Sequence, residues 1–376
     1  MLISLRTRPA LAFAALLAAA FLLAGCGAAP ATGWSGARVA DQVVYFGTSI
    51  GKFYAVNTLD GSLKWPAYPK DTSLTAVYST PFVDGNTVFF GATDKNFYAL
   101  DTATGTLKWA APFAVGESII SSQVAADGVV YFGANDKKVY ALDTATGAKK
   151  WEPFVTGGEI WADLTLADNV LYVASLDHKL YAIDAITGKA RWPQPFDAAG
   201  MIAAKPAVVN GVVYVAALSK VFALSTATGQ PMWDKPFEAS GWVWSNPTVV
   251  NGTVYFGTLD TGNVYAVDAA TGKPKWNAPF KAGGPVRSAV VVDGGVAYFG
   301  SDDFKVYAID AGTGAGKWTY ATGNRVVASP EVANGTVYVV SFDRMFYALN
   351  SADGKVKWQL DISTGKLVTP TPAPAK

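Results

Sequence analysis

The stretch Val129-Val-Tyr-Phe-Gly-Ala-Asn-Asp-Lys-Lys-Val-Tyr-Ala-Leu-Asp-Thr-Ala-Thr-Gly-Ala-Lys-Lys-Trp151 decides the fold, because the chain repeats it in eight variants. It parses into strands and turns. Residues 129–132 are β-branched and aromatic and read as a strand. Asn135-Asp136-Lys137 is a polar turn, and residues 139–142 form the returning strand. Asp143-Thr-Ala-Thr-Gly147 is a second turn, rich in side chains that bond their own backbone. A short strand ends at Trp151. Between phrases lies a further apolar stretch, such as residues 119–125, often closed by Asn-Gly or Asp-Gly, a strong hairpin signal. The tryptophans that end the phrases are Trp65, Trp109, Trp151, Trp192, Trp233, Trp276, Trp318 and Trp358, spaced 44, 42, 41, 41, 43, 42 and 40 residues apart. Four strands in each unit of about 42 residues are the signature of a propeller blade. The expectation is an all-β chain, an eight-bladed β-propeller of four-stranded antiparallel blades spanning residues 34–368.

Every copy keeps an Ala, a Gly and a Trp in the pattern A-x-D-x-x-T-G-x-x-x-W. It is complete from Ala99, Ala141, Ala182, Ala266 and Ala308, and varied from Ala55, Ala223 and Ala348. The pattern resembles the tryptophan-docking motif of pyrroloquinoline-quinone (PQQ)-type propellers. The resemblance implies that each indole packs between its own blade's Ala and the Gly peptide of a neighbouring blade. A large flat ring needs a small residue below it and an open peptide above it. The eight tryptophans are therefore expected to be structural.

The N-terminus carries a separate message. Arg6 and Arg8 precede an apolar run over residues 9–23, which fits a secretory signal. The run ends in Leu23-Ala24-Gly25-Cys26, which resembles the bacterial lipobox. That resemblance implies lipidation at Cys26, removal of residues 1–25, and a flexible tether over residues 26–33. Membrane attachment would then be through acyl chains, at the periplasmic face of the outer membrane in a Gram-negative cell or the outer face of the plasma membrane otherwise. Residues 369–376 are proline-rich and read as a disordered tail.

Composition narrows the function classes. Charged residues are 16% of the chain and the net charge is +1, so there is no basic field for nucleic acid. One cysteine forbids an intrachain disulfide. With one histidine, His178, it leaves no set of ligands for zinc, and no metal site is expected. His178 falls in a turn and reads as a turn residue, not a base.

The eight copies also separate architecture from function. Counting back from Pro81, two columns of the inner segment are uniform: Val77 with its equivalents, and Ser79 with its equivalents. The interleaved columns vary. One contains Trp34, Tyr78, Trp161, Trp244 and Arg287, a second Glu159, Trp242 and Arg325, and a third Thr80, Asp163, Lys205 and Asn246. Trp34, Tyr78, Glu159, Trp161, Trp242, Trp244, Arg287 and Arg325 are expected around one mouth of the central channel. They either plug it or bind a partner or ligand there.

A lipid-anchored eight-bladed propeller of this length resembles the BamB-like outer-membrane assembly lipoproteins. That likeness implies a non-catalytic scaffold for an envelope protein partner, with no cofactor and a monomeric propeller. A second resemblance, to PQQ-dependent dehydrogenases, would imply PQQ with calcium, with Glu159, Asp163 and Asn246 near the ion and Trp244 as a stacking floor. The adjacent cysteine pair of many such enzymes is missing. A third reading is a glycan or cell-wall binder stacking sugars on Trp161, Trp242 and Trp244. The strand that completes the first blade is expected from either the N-terminal stretch at residues 34–41 or the C-terminal stretch at residues 365–370.

Overall fold

Turn chemistry sets each hairpin. Asn210 and Gly211, between two strands of one blade, both have positive φ, 50° and 76°, the pairing that matches the twist of the flanking strands. The longer turn is fixed by its aspartate. Asp101 Oδ1 accepts the backbone N–H of Ala103 and of Thr104, each at 3.0 Å, and the Thr104 hydroxyl at 3.1 Å. Asp143, Asp184, Asp268 and Asp310 hold their turns through the same threonine.

These turns organise eight antiparallel sheets, the blades of a β-propeller. The structure is a computed structural model that describes residues 35–369. The expected signal peptide, Cys26, the tether, Trp34 and residues 370–376 lie outside the described residues. Blades 2 to 7 each have four strands, as in Val124–Ala126, Val129–Gly133, Lys138–Asp143 and Phe154–Val155 of blade 3. Blade 1 has three, Ala37–Ala40, Val43–Gly47 and Phe53–Asn57, and blade 8 has five. The second strands and the middles of the third strands are largely buried, because neighbouring blades cover both faces.

Two details depart from the sequence reading. The fourth strand does not end at the tryptophan in blades 1 to 6. It is reduced there to a single bridge, such as Leu142 with Lys149, and pairing resumes beyond a proline. Only blades 7 and 8 run continuously through it, in Gly316–Ala321 and Val356–Asp361. The inner segment is also mostly unpaired: residues 119–123 precede the regular strand Val124–Ala126. Serine hydroxyls replace the backbone ladder there. Ser79 Oγ donates to Gly91 O and accepts the Gly91 N–H, both at 2.9 Å. Ser288 does the same for Gly300.

The joints between blades are alike all round the ring. Each docking indole donates its N–H to a carbonyl in the next blade's turn, from Trp65 to Thr102 (3.3 Å) through Trp109 to Thr144 (3.0 Å), and finally from Trp358 to Thr58 (2.9 Å). The glycine of that turn lies on the ring. A Cβ at Gly147 would fall 2.8 Å from Trp109, and one at Gly61 would fall 2.8 Å from Trp358. Six of the indoles are buried, and Trp151 and Trp318 are half-buried. Burying one such ring contributes about 3 kcal/mol before its hydrogen bond is counted.

Closure uses no shared strand. The N-terminal strand Ala37–Ala40 is the inner strand of blade 1, while the C-terminal strand Lys366–Val368 pairs with Val356–Asp361 on the outer edge of blade 8. Phe46 and Phe346 stack across the seam at 4.3 Å, and the Tyr54 hydroxyl donates to Ile362 O at 2.8 Å. The next two joints also carry stacked phenylalanines, Phe53 on Phe90 at 4.1 Å and Phe97 on Phe132 at 4.0 Å. At the equivalent place between blades 7 and 8 stand Val306 and Val339.

Candidate functional site

The inner segments of the blades line the channel, and their alternation decides which side chains reach it. The uniform column is wholly architectural: Val77, Ile119 and Ile160 are buried. Each sits against the glycine that ends the second strand of the preceding blade, Gly47, Gly91 and Gly133 respectively. The opposite phase opens into a cavity at one end of the channel.

Tyr78, Trp161, Trp244 and Arg287 line that cavity, as do Thr80, Ser122, Asp163, Asn246 and Ser329 from the next column. Glu159 does not line it but holds its wall: Trp161 Nε1 donates to Glu159 Oε2 at 2.8 Å. Arg287 is fixed by Asp302, with Nε 3.0 Å from Oδ2. Trp242 and Arg325 are not among the lining residues. They stand two residues earlier in the chain, on the loops that lead inward. The Trp242 backbone N–H is held by Asp260 at 2.8 Å, and the exposed Arg325 lies over Phe342 at 5.4 Å. Trp34 lies outside the described residues. His178 is exposed at a turn tip with φ 73°.

The third variable column turns out to join blades. Thr80 N–H donates to Ser122 Oγ (2.8 Å), Ser122 N–H to Asp163 Oδ1 (2.7 Å), Lys205 N–H to Asn246 Oδ1 (2.8 Å) and Ala289 N–H to Ser329 Oγ (2.9 Å). Each of these bonds crosses from one blade to the next. One oxygen of each side chain set aside for calcium by the dehydrogenase resemblance therefore already accepts a hydrogen bond: Glu159 from an indole, Asp163 and Asn246 from backbone amides. Among the described residues no three His, Cys, Asp or Glu side chains come together to hold a metal ion. The residues do not fit the calcium that would accompany PQQ.

Below the mouth the channel carries charges that the sequence reading did not single out. Arg38 and Glu331 lie two residues beyond Gly36 and Ser329, on the same phase, with Nη1 3.9 Å from Oε1. Burial raises the Glu331 pKa, against the pull of Arg38 and of the Val39 N–H. Burial also lowers the pKa of Lys205, with Asp163 opposing and Arg38 adding to the shift. The available signal was phase: a charge at the inward position of a first strand must face the channel.

The family model of the outer membrane protein assembly factor BamB matches residues 26–153, 155–257, 203–279 and 260–375. No curated protein matches the chain. Among solved structures, the computationally designed Ika8 protein aligns with TM-score 0.72 and 17% identity, over 87% of this chain and 96% of that one. BamB from Moraxella catarrhalis aligns with TM-score 0.68 and 19% identity, over 82% and 94%. Saccharomyces cerevisiae Sqt1 aligns with TM-score 0.68 and 14% identity, over 83% and 94%. At these identities the structural likeness speaks for the fold alone.

Proposed function

Because this chain belongs to the family of the outer membrane protein assembly factor BamB, we propose that it is a lipid-anchored, non-catalytic scaffold holding an envelope protein partner during outer-membrane protein assembly. One observation supports a site for that role. The side chains that differ from blade to blade gather at one end of the channel, where Tyr78, Trp161, Trp244 and Arg287 frame an open cavity. Aromatic and arginine side chains are what partner surfaces enrich; the rings bury much area at little entropy cost, and Arg287 is already held by Asp302. Cys26 after an apolar leader supports the anchor. All eight joints of the ring are closed within the chain, which supports a monomeric propeller.

The test is recovery of envelope proteins on the mature protein, wild type against the double variant Trp161→Ala/Trp244→Ala. Loss of two anchoring indoles is expected to lower recovery by about tenfold or more. Equal recovery would remove the mouth from the interface. Dye-linked oxidation of alcohols or sugars after incubation with PQQ and calcium would overturn the scaffold reading itself.

A further inference from the structure

The outer edges of the blades are guarded, with one exception. In blades 2 to 6 the residue opposite the start of the third strand is aromatic, as in Phe97 with Phe113 and Val139 with Phe154. The residue before it is always proline: Pro112, Pro153, Pro195, Pro236 and Pro279. Two residues after each aromatic, a backbone N–H bonds inward, as Val115 does to Lys95 O and Thr156 to Lys137 O. By alternation each proline occupies a position whose N–H would face outward. Proline there removes the donor that a foreign strand would need. In blade 1 pairing at this edge is limited to the single bridging residue Tyr68, which Pro69 follows directly.

Blades 7 and 8 carry no proline in this stretch, and their outer strands run six residues each. Blade 8 is covered by Lys366–Val368, with Gln359 opposite Val368, Leu360 opposite Leu367 and Asp361 opposite Lys366. Leu367 lies where Trp358 meets Gly61, since a Cβ on that glycine would come within 2.6 Å of it. Blade 7 repeats the arrangement without the cover. Trp318 meets Gly354, but among the described residues no strand lies beside Gly316–Ala321. Thr322 N–H bonds inward to Phe304 O, so Ala321 and Thr319 turn their amides outward. Trp318 stays half-buried, and the exposed Lys305 stands opposite Ala321.

We infer that the outer strand of blade 7 is a docking edge for an extended segment of a protein partner, which adds to the sheet as an antiparallel fifth strand. The cover on blade 8 specifies its chemistry. An aliphatic residue falls opposite Tyr320 and closes over Trp318, as Leu367 does over Trp358. An acidic residue falls opposite Ala321, where it meets Lys305; in blade 8 the charges are reversed, with Lys366 opposite Asp361. A second copy of the chain is the poorer occupant. Pairing two six-residue edges buries far less than the roughly 1,000 Å² of a specific dimer, and self-pairing places no acid beside Lys305. This edge is separate from the mouth of the channel.

A dye-labelled acetyl-Thr-Gly-Glu-Leu-Val-Thr-Thr amide serves as the probe, with fluorescence anisotropy as the readout. Wild type is expected to bind it, and Thr319→Pro, which copies what five other blades carry, to bind at least tenfold more weakly at an unchanged melting temperature. Lys305→Glu is expected to prefer the same peptide with Lys in place of Glu. A peptide N-methylated at Glu and Val is expected not to bind, and it decides the matter if Thr319→Pro lowers stability. Trp161→Ala/Trp244→Ala is expected to bind the peptide as wild type does, so failure here is distinct from failure of the mouth. No binding by wild type, or equal binding by Thr319→Pro, overturns the inference. So does sedimentation that finds a wild-type dimer and a Thr319→Pro monomer, because the occupant would then be a second copy.

Discussion

Gly147 must satisfy two conditions at once: its φ is 75°, and any Cβ would fall 2.8 Å from the Trp109 ring. Gly128, in a hairpin of the same blade, has φ 74° and nothing within 4 Å. The pair separates backbone strain from docking. Gly128→Ala is expected to cost about 1 kcal/mol, the left-handed penalty alone. Gly147→Ala adds an overpacked joint, for a total of about 2–4 kcal/mol. Equal losses in chemical denaturation would mean that the indole gives way and the joint is soft. This level was legible because eight copies of one motif keep the same three residues. The channel columns were less legible. Ser122, Asp163, Asn246 and Ser329 look heterogeneous, yet all accept a neighbour's N–H. Different side chains can fill one hydrogen-bonding role, so variation among repeats was a weaker mark of function than it looked. Tyr78, Trp161, Trp244 and Arg287 of the aromatic and arginine column line one cavity, because strand phase turns each of them toward the channel.

At the scale of strands, turn chemistry carried the reading and pairing carried the surprises. Asn-Gly and Asp-Thr-Ala-Thr-Gly turns act locally, so they can be read without knowing the fold. The ends of strands are set by neighbours. Prolines after Trp109 to Trp276 break the outer strand into a bridge and a two-residue piece, and serine hydroxyls stand in for a ladder that the inner segment lacks. Ser79→Ala tests the second device. Alanine occupies this column at Ala162, Ala204 and Ala328, so the shape is tolerated, but the buried Gly91 N–H and C=O each lose a partner. The expected loss is about 1–3 kcal/mol in equilibrium unfolding. A loss under about 0.5 kcal/mol would mean that water replaces the hydroxyl.

Over the whole molecule, one tyrosine–aspartate clamp recurs in five blades. Tyr98, Tyr140, Tyr181, Tyr307 and Tyr347 donate to Asp94, Asp136, Asp177, Asp303 and Asp343. Burial and the aspartate bond raise all five phenols, Tyr181 and Tyr307 to about 12. A phenol raised above its unfolded value favours the folded state below that value. For Tyr181 and Tyr307 the contribution is whole below pH 10 and is lost as pH climbs through about 12. Because the clamps are spread round the ring, the loss is shared by many blades. Denaturant unfolding followed by intrinsic tryptophan fluorescence is therefore expected to show stability falling between pH 10 and 12, and Tyr181→Phe to reduce that slope. An unchanged slope in Tyr181→Phe would sink the argument.

The seam between blades 8 and 1 has no peptide bond across it, yet it holds one of the three stacked phenylalanine pairs that bridge neighbouring blades, and the other two follow directly along the chain. Unravelling from either end thus meets strong resistance at once, and the wholly aliphatic joints Val139–Val173 and Leu180–Val215, in the middle of the chain, offer the easier breach. The ring is toughest to peel where its ends invite a grip, and hydrogen exchange should find its first openings away from the termini.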